Sequence, residues 1–429
     1  MKKLFMFLMA AFLLIGIAAC GGSETTEAPT EEPTTEETTT EAPTTDETTT
    51  EAPTTDAPTT EDLFPEEASY PSGLLNYKFQ TSEIRHTFMA AAEKFLMNNM
   101  YGGVPLFANG GFALYSSRLQ LPVDSYIPVM GWGTAFATMD ADDSTVLMAD
   151  GEPGEAGEYT YRTTSTTNPV TFNQWLYDTS TDSDYMGFYY DAPYTYHFND
   201  DKTGYEVVPS MMASNPIPVG SEFTETGKEI SNTWQFEVKE GLEWFFHPDA
   251  DTSYITDTTI DANDFVETFK YALAENWFRA VSGGGDFINS ASSIEGAAEF
   301  NADPTEENWD DVGINLIDDN TFEFVFENKQ SEWNVRYFMG SFVMSPVHLE
   351  MVEELGEDFG TNNLNVAYHG AYYVDYYEAD KTVVFAKNPN YHTPDEYFYT
   401  GYEWQIINDA AIRFQEFEAG KLEAVTLPT

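Results

Sequence analysis

With 429 residues, 73 acidic against 18 basic side chains and a formal net charge of −55, the chain has room for two domains. It is too acidic to favour nucleic-acid phosphate or anionic lipid headgroups as partners. A single cysteine, Cys20, excludes an intramolecular disulfide and any cysteine-based metal site, so stability must come from a large core rich in Phe, Tyr and Trp.

The chain opens with Lys2 and Lys3, an apolar run from Leu4 to Ile17, and Ile17-Ala18-Ala19-Cys20. Small residues before a cysteine make a lipobox, so residues 1–19 read as a lipoprotein signal peptide and Cys20 as the lipidation site. The apolar run is shorter than the ~20 residues a transmembrane helix needs. The expected location is the extracytoplasmic face of the cell membrane, reached through the lipid on Cys20. Residues 20–62 repeat EAPTTDETTT and EAPTTDAPTT with almost no large apolar side chain and read as a disordered tether. As a flexible coil it spans about 35 Å, and proline and charge repulsion extend it further. Setting aside its 13 acids and the two leader lysines leaves 60 acids against 16 bases in residues 63–429, net −44.

Globular sequence begins at Leu63. Ser82 and Glu83 mark a helix start, and Ile84, Phe88, Ala91 and Phe95 recur at helical spacing up to Asn98 and Asn99. Residues 140–158 form an acidic, glycine-containing loop that reads as a joint. Beyond it, alternation over Trp234–Val238 and Thr321–Phe326 and the apolar run Val383–Ala386 predict strands. Asp261 and Asp409 are placed as N-caps of helices, the second closed by Gly420. Helices and strands mix irregularly, which predicts an α/β architecture.

No motif carries catalytic chemistry. With 73 carboxylates, a pair at glycosidase separation means little. The six histidines show no HExxH, Gly283 to Gly285 lack the Lys-Ser/Thr of a phosphate loop, and no GxSxG occurs, so neither enzyme, metal nor cofactor is expected. Tyrosines crowd two stretches, Tyr189 to Tyr196 and Tyr368 to Tyr377, which suits either a ligand cleft or plain sheet packing.

Six phrases in order resemble the peptide- and nickel-type extracellular solute-binding proteins of ABC importers, family 5. They are NPVTFNQW (Asn168–Trp175), WQFEVKEGLEWF (Trp234–Phe245), TIDANDFVETFKYAL (Thr259–Leu273), VGINLIDDNTFEFVFEN (Val312–Asn328), HGAYYVDYYEADKTVVFAKNPNYH (His369–His392) and RFQEFEAGKLEAVTLP (Arg413–Pro428). Two departures stand out: Tyr368-His369-Gly370-Ala371 where the family has GTGP, and His392 where tryptophan is usual. The resemblance implies a lobe of the type II periplasmic-binding-protein fold with mixed sheets, an oligopeptide ligand and ABC permease subunits as partners. It implies ligand contacts at Phe172, Asn173, Trp175, Tyr368, His369 and Gly370.

The stretch Glu83–Leu119 also resembles this family, but its far C-terminal part. On this reading the order is permuted: residues 63–139 resemble the family's tail, residues 159–402 its first lobe, and residues 403–429 the start of a second lobe that is largely missing. Ile84–Tyr115 and Glu403–Leu427 are therefore expected to meet, with Phe88, Ala91 and Phe95 against Ile412, Phe414 and Phe417. Peptide binding by such a chain is expected to be weak. A surface adhesin or interaction lipoprotein on the same scaffold, without transport, is the alternative.

Overall fold

The computed structural model describes residues 82–98, 112–224, 227–282 and 287–427, so the leader with Cys20, the tether and Gly283 to Gly285 lie outside the described residues. Among the described residues no helix is long and apolar enough to cross a membrane. Helix α1, Ser82–Asn98, forms as expected, and the division of the chain into two compact units falls inside it, after Ala91. In the first unit Ile84 and Phe88 expose 46% and 50% of their surface; in the second, Phe95 exposes 40%. The burial expected of this stripe is not realised.

Along the second unit come β1 (Ala113–Tyr115), β2 (Thr160–Ser165), α2 (Ser180–Tyr189), β3 (Ile217–Val219), β4 (Glu229–Glu237) and α3 (Ala262–Ala274). They are followed by β5 (Ile314–Asp318), β6 (Thr321–Gln330), β7 (Tyr372–Glu378), β8 (Thr382–Lys387), β9 (Gly401–Ile406), α4 (Ala410–Glu418) and β10 (Ala424–Thr426). The fold is mixed α/β with several sheets, as the pattern of elements predicts.

One sheet runs β5-β6-β4-β3, with Glu222–Phe223 added to β4. The register sets Phe322 opposite Phe236 and Phe324 opposite Trp234, so the aromatic alternation lies on one face. Helix α3 covers that face, with Phe265 stacked 5.2 Å from Phe322. Its start is fixed as expected: the Asp261 carboxylate accepts from the Asn263 and Asp264 amides, and Asp264 accepts from the Asp261 amide.

The other sheet runs β7-β8-β9-β2, antiparallel except for the parallel pair β9 and β2. That pair sets Tyr402 beside Tyr161 and Glu403 beside Arg162. Helix α2 covers the aromatic face, where Phe188 meets Tyr402 at 4.3 Å between ring centres and Tyr185 meets Trp404 at 5.0 Å.

The two segments expected to meet do so as strands. β1 pairs antiparallel with β10, Ala113 opposite Thr426 and Tyr115 opposite Ala424. This contact rests on backbone hydrogen bonds and on the enclosed Leu422 and Val425, whereas Ile412 on α4 remains 48% exposed. The loop 140–158 is fastened at its base rather than free: buried Asp143 accepts from the Thr160 amide and from Arg118, and its own amide donates to the Glu158 carbonyl.

Candidate functional site

Two places gather polar chemistry. The first contains most of the residues implied by the sequence resemblance. Ahead of α2, Phe172 donates its amide to the Gly360 carbonyl, and the Asn173 side chain accepts from the Trp175 amide. Gly360, at φ +73°, approaches so closely that an added Cβ would lie 2.7 Å from the Asn173 side chain. The end of α2 joins this segment to the one around His369. Tyr190 donates its hydroxyl to the Phe172 carbonyl at 2.8 Å, and the Gly370 amide donates to the Tyr189 carbonyl at 2.9 Å. Tyr368 meets Tyr189 edge-on. Phe172, Asn173, Tyr368, His369 and Gly370 are thus brought together. Trp175 is not; it packs against Phe269 and Phe287 in the core behind α3. All six are buried.

His369 sits on an acid that sequence reasoning missed. Its Nδ1 accepts from the Asp191 amide, which places the proton of the neutral ring on Nε2. Nε2 lies near the Pro346 carbonyl without a hydrogen bond of normal geometry. Burial pushes the imidazole down to about 4, against a smaller upward pull from Asp191. The Asp191 carboxylate accepts from the Ala192 amide, from Ser210 at 2.8 Å and from His392 Nε2 at 2.8 Å. The carboxylate stands between serine and imidazole, so this histidine has no path to the serine proton and the trio does not activate a nucleophile. The only signal in the sequence was His392, the departure in the NPNYH phrase.

The second place is a cavity of about 380 Å³ beside the β1–β10 ribbon, lined by Tyr115, Ser116, Ser117, Arg118, Val146, Arg162, Phe417, Gly420 and Leu422. Its floor is ionic. Arg118 reaches Asp143 at 2.7 Å and Glu423 at 3.1 Å, and Arg162 holds both Glu423 oxygens. All four side chains are at most 6% exposed. Glu423 also accepts from the Arg162 amide, donates its own amide to the Arg162 carbonyl and accepts from the Ser116 amide. It therefore stitches β2 to the ribbon. Two positive and two negative charges cancel, so the floor offers shape and apolar wall rather than net charge. Among the described residues no group of His, Cys, Asp or Glu is placed to hold a metal ion. Sequence reasoning missed this cavity because its lining comes from four distant stretches.

Residues 223–429 match the family described as bacterial extracellular solute-binding proteins, family 5, middle. The chain is 25% identical over 217 residues to the oligopeptide-binding protein SarA of Streptococcus gordonii, covering 50% of this chain and 30% of that protein. It is 28% identical over 184 residues to the oligopeptide-binding protein AliA of Streptococcus pneumoniae, covering 42% and 25% respectively. The chain thus spans about a third or less of the length of these relatives. Among solved structures, the substrate-binding domain of an oligopeptide ABC transporter from Bacillus anthracis matches with a TM-score of 0.49 and 16% identity, over 62% of this chain and 45% of that one. Listeria monocytogenes OppA bound to peptide matches with a TM-score of 0.48 and 15% identity, over 62% and 46%. Residues 223–429, the stretch with five of the six ordered sequence phrases, are thus similar to the family 5 extracellular solute-binding proteins.

Proposed function

We propose that the protein binds short peptides outside the cytoplasmic membrane, held there by lipid on Cys20, and passes them to an ABC permease. The observation that carries this reading is the family 5 match over residues 223–429, together with relatives named as oligopeptide-binding proteins. The cavity volume of about 380 Å³ falls within the range of small-ligand sites, and Tyr115, Val146, Phe417 and Leu422 give it apolar walls for a side chain. In this reading the enclosed Phe172, Asn173, Trp175, Tyr368, His369 and Gly370 act as rigid support. The protein performs no covalent step.

Calorimetry of the full chain with a mixed pool of di- to pentapeptides tests it: saturable binding weaker than micromolar is expected, and none at millimolar peptide would reject it in favour of an interaction lipoprotein without transport. Anchoring is tested separately by the intact mass of membrane-extracted protein. Processing before Cys20 with an added lipid is expected, and membrane retention unchanged in Cys20→Ala would overturn it.

A further inference from the structure

Resting on the lipid anchor of the proposed function, we propose that residues 126–132 form an apolar finger that enters the surface of the same bilayer and docks the folded chain against it. Ile127 and Gly131 exchange both backbone hydrogen bonds, at 2.9 and 2.7 Å, and close a tight loop over Pro128, Val129 and Met130. Tyr126, Val129 and Trp132 expose 50%, 49% and 37% of their surface, and Pro128 is exposed with them. The rings of Tyr126 and Trp132 meet edge-on at 6.2 Å. Tyrosine and tryptophan beside an apolar tip fit the boundary between headgroups and hydrocarbon, where the ring is buried and its polar atom stays wet.

The backbone argues that the tip is apolar for a reason other than the turn. Val129 has φ +74°, a region that a β-branched residue enters only under strain and that glycine or asparagine occupies more easily. The turn alone therefore favours a different residue. Gly133, at φ +68°, packs so closely at the base that an added Cβ would lie 2.6 Å from the Phe198 ring and 2.7 Å from Pro122, so the finger is held rigidly. Entry into an apolar layer also requires paired backbone groups. Ile127 and Gly131 satisfy each other, the Gly133 amide donates to the Met130 carbonyl, and Pro128 has no N–H to satisfy.

Charge and tether together name a bilayer as the occupant. Residues 63–429 carry 60 acids against 16 bases, yet residues 125–139 carry no charged side chain, so this stretch approaches lipid without desolvating an acid. Charge returns at the base, with Asp124 and with Lys202, whose Nζ donates to the Pro122 carbonyl and whose chain neighbours include Asp200 and Asp201. Residues 20–62, as the flexible coil their composition implies, span about 35 Å from the lipid on Cys20. A contact too weak to hold a free protein thereby becomes intramolecular, at an effective concentration on the order of millimolar.

The test reconstitutes membrane-extracted full chain into phosphatidylcholine vesicles with acyl chains brominated just below the headgroup, and reads tryptophan quenching against unbrominated vesicles. Quenching of one tryptophan of the eight is expected, and Trp132→Phe, which keeps an apolar ring, should abolish the signal. Val129→Gly should weaken the contact about tenfold, the partition worth of one valine side chain, while the denaturant midpoint holds or rises because glycine accepts this φ. The quenching should be equal at about 0.05 and about 0.5 M salt, since no charge drives it. Quenching that fades at the higher salt would overturn the apolar contact, and full quenching in Val129→Gly would overturn the role given to the tip. Chain retained on the vesicles with Trp132 unquenched would overturn the inference and turn the finger toward a protein partner. Quenching that persists in Trp132→Phe would overturn it too, by placing another tryptophan at the membrane. Chain absent from the vesicles would overturn the anchor and this inference with it, a result distinct from anchored chain with a dry finger.

Discussion

Around His369 a single carboxylate, Asp191, is held by an amide, a hydroxyl and an imidazole, whereas around Glu423 four charges are packed as two opposed pairs. Asp191 has its lone pairs taken by these three groups. Glu423 has no such latitude, because both of its oxygens face guanidinium groups that stay ionised at any ordinary pH. The first region therefore tolerates neutral replacements and answers to pH. The second answers to any change of charge count. Both are buried, so burial alone does not separate them.

The largest expected effect comes from breaking the charge count. Glu423→Gln leaves Arg118 and Arg162 enclosed with Asp143 as their remaining salt-bridge partner among the described residues, and is expected to cost about 3–5 kcal/mol in denaturant unfolding of the full chain. Arg162→Met combined with Glu423→Gln removes one charge of each sign and should recover part of that loss. A double variant no more stable than Glu423→Gln alone would show that the geometry of the bonds, and not the charge balance, holds the ribbon to β2.

The His369 region is sharpened by pH. Its imidazole sits at about 4 when folded against about 6.5 in an unfolded chain, so between these values the unfolded state binds the extra proton. Stability from this site is fully present above about 6.5 and falls as pH drops toward 4, by up to about 3 kcal/mol. His369→Asn keeps an acceptor for the Asp191 amide and removes the titration. The stability profile of that variant should be flatter over this window; an unchanged slope would assign the acid sensitivity to other groups.

These regions were unequally legible in the sequence. The caps Asp261 and Asp409, the alternation through Phe322, Phe324 and Phe326, and the segment around His369 are local patterns, and local patterns survive in a linear string. What a linear string does not show is which side of a residue faces solvent. Phe172, Asn173, Tyr368 and His369, read from the sequence as ligand contacts, are enclosed, and a linear string carries no mark of that enclosure, because closely packed residues are as strongly dictated by the fold as contact residues are. The ion quartet was invisible for a different reason. Arg162 and Glu423 lie 261 positions apart, and in a chain with 73 acids no single carboxylate marks itself as an internal partner.

A smaller effect is expected at Gly370. An added Cβ would lie 2.5 Å from the Tyr189 carbonyl carbon and 2.7 Å from the Tyr190 amide nitrogen, both backbone atoms that yield only if the end of α2 shifts. Gly370→Ala should cost about 1–3 kcal/mol in denaturant unfolding, as overpacking of a close contact does. A neutral result would mean that α2 moves freely against this segment, and the contrast with the rigid quartet would then grow.

The smallest expected effect tests whether the two sequence-legible segments act as one. Tyr190 is 4% exposed and its hydroxyl donates to the Phe172 carbonyl at 2.8 Å, the one side-chain hydrogen bond described here that joins the 172 segment to the end of α2. Tyr190→Phe keeps the ring, and with it the contact to His369 at 5.3 Å between ring centres, while leaving the Phe172 carbonyl without this donor. The loss should be about 1–2 kcal/mol, near the cost of an unsatisfied buried acceptor, because the ring itself stays in place. Combined with Gly370→Ala, the two losses should fall short of their sum, since a helix end already displaced by the added methyl no longer holds the hydroxyl in position. Additive losses would show that α2 carries each segment independently, and the enclosed residues would then be two separate supports rather than one.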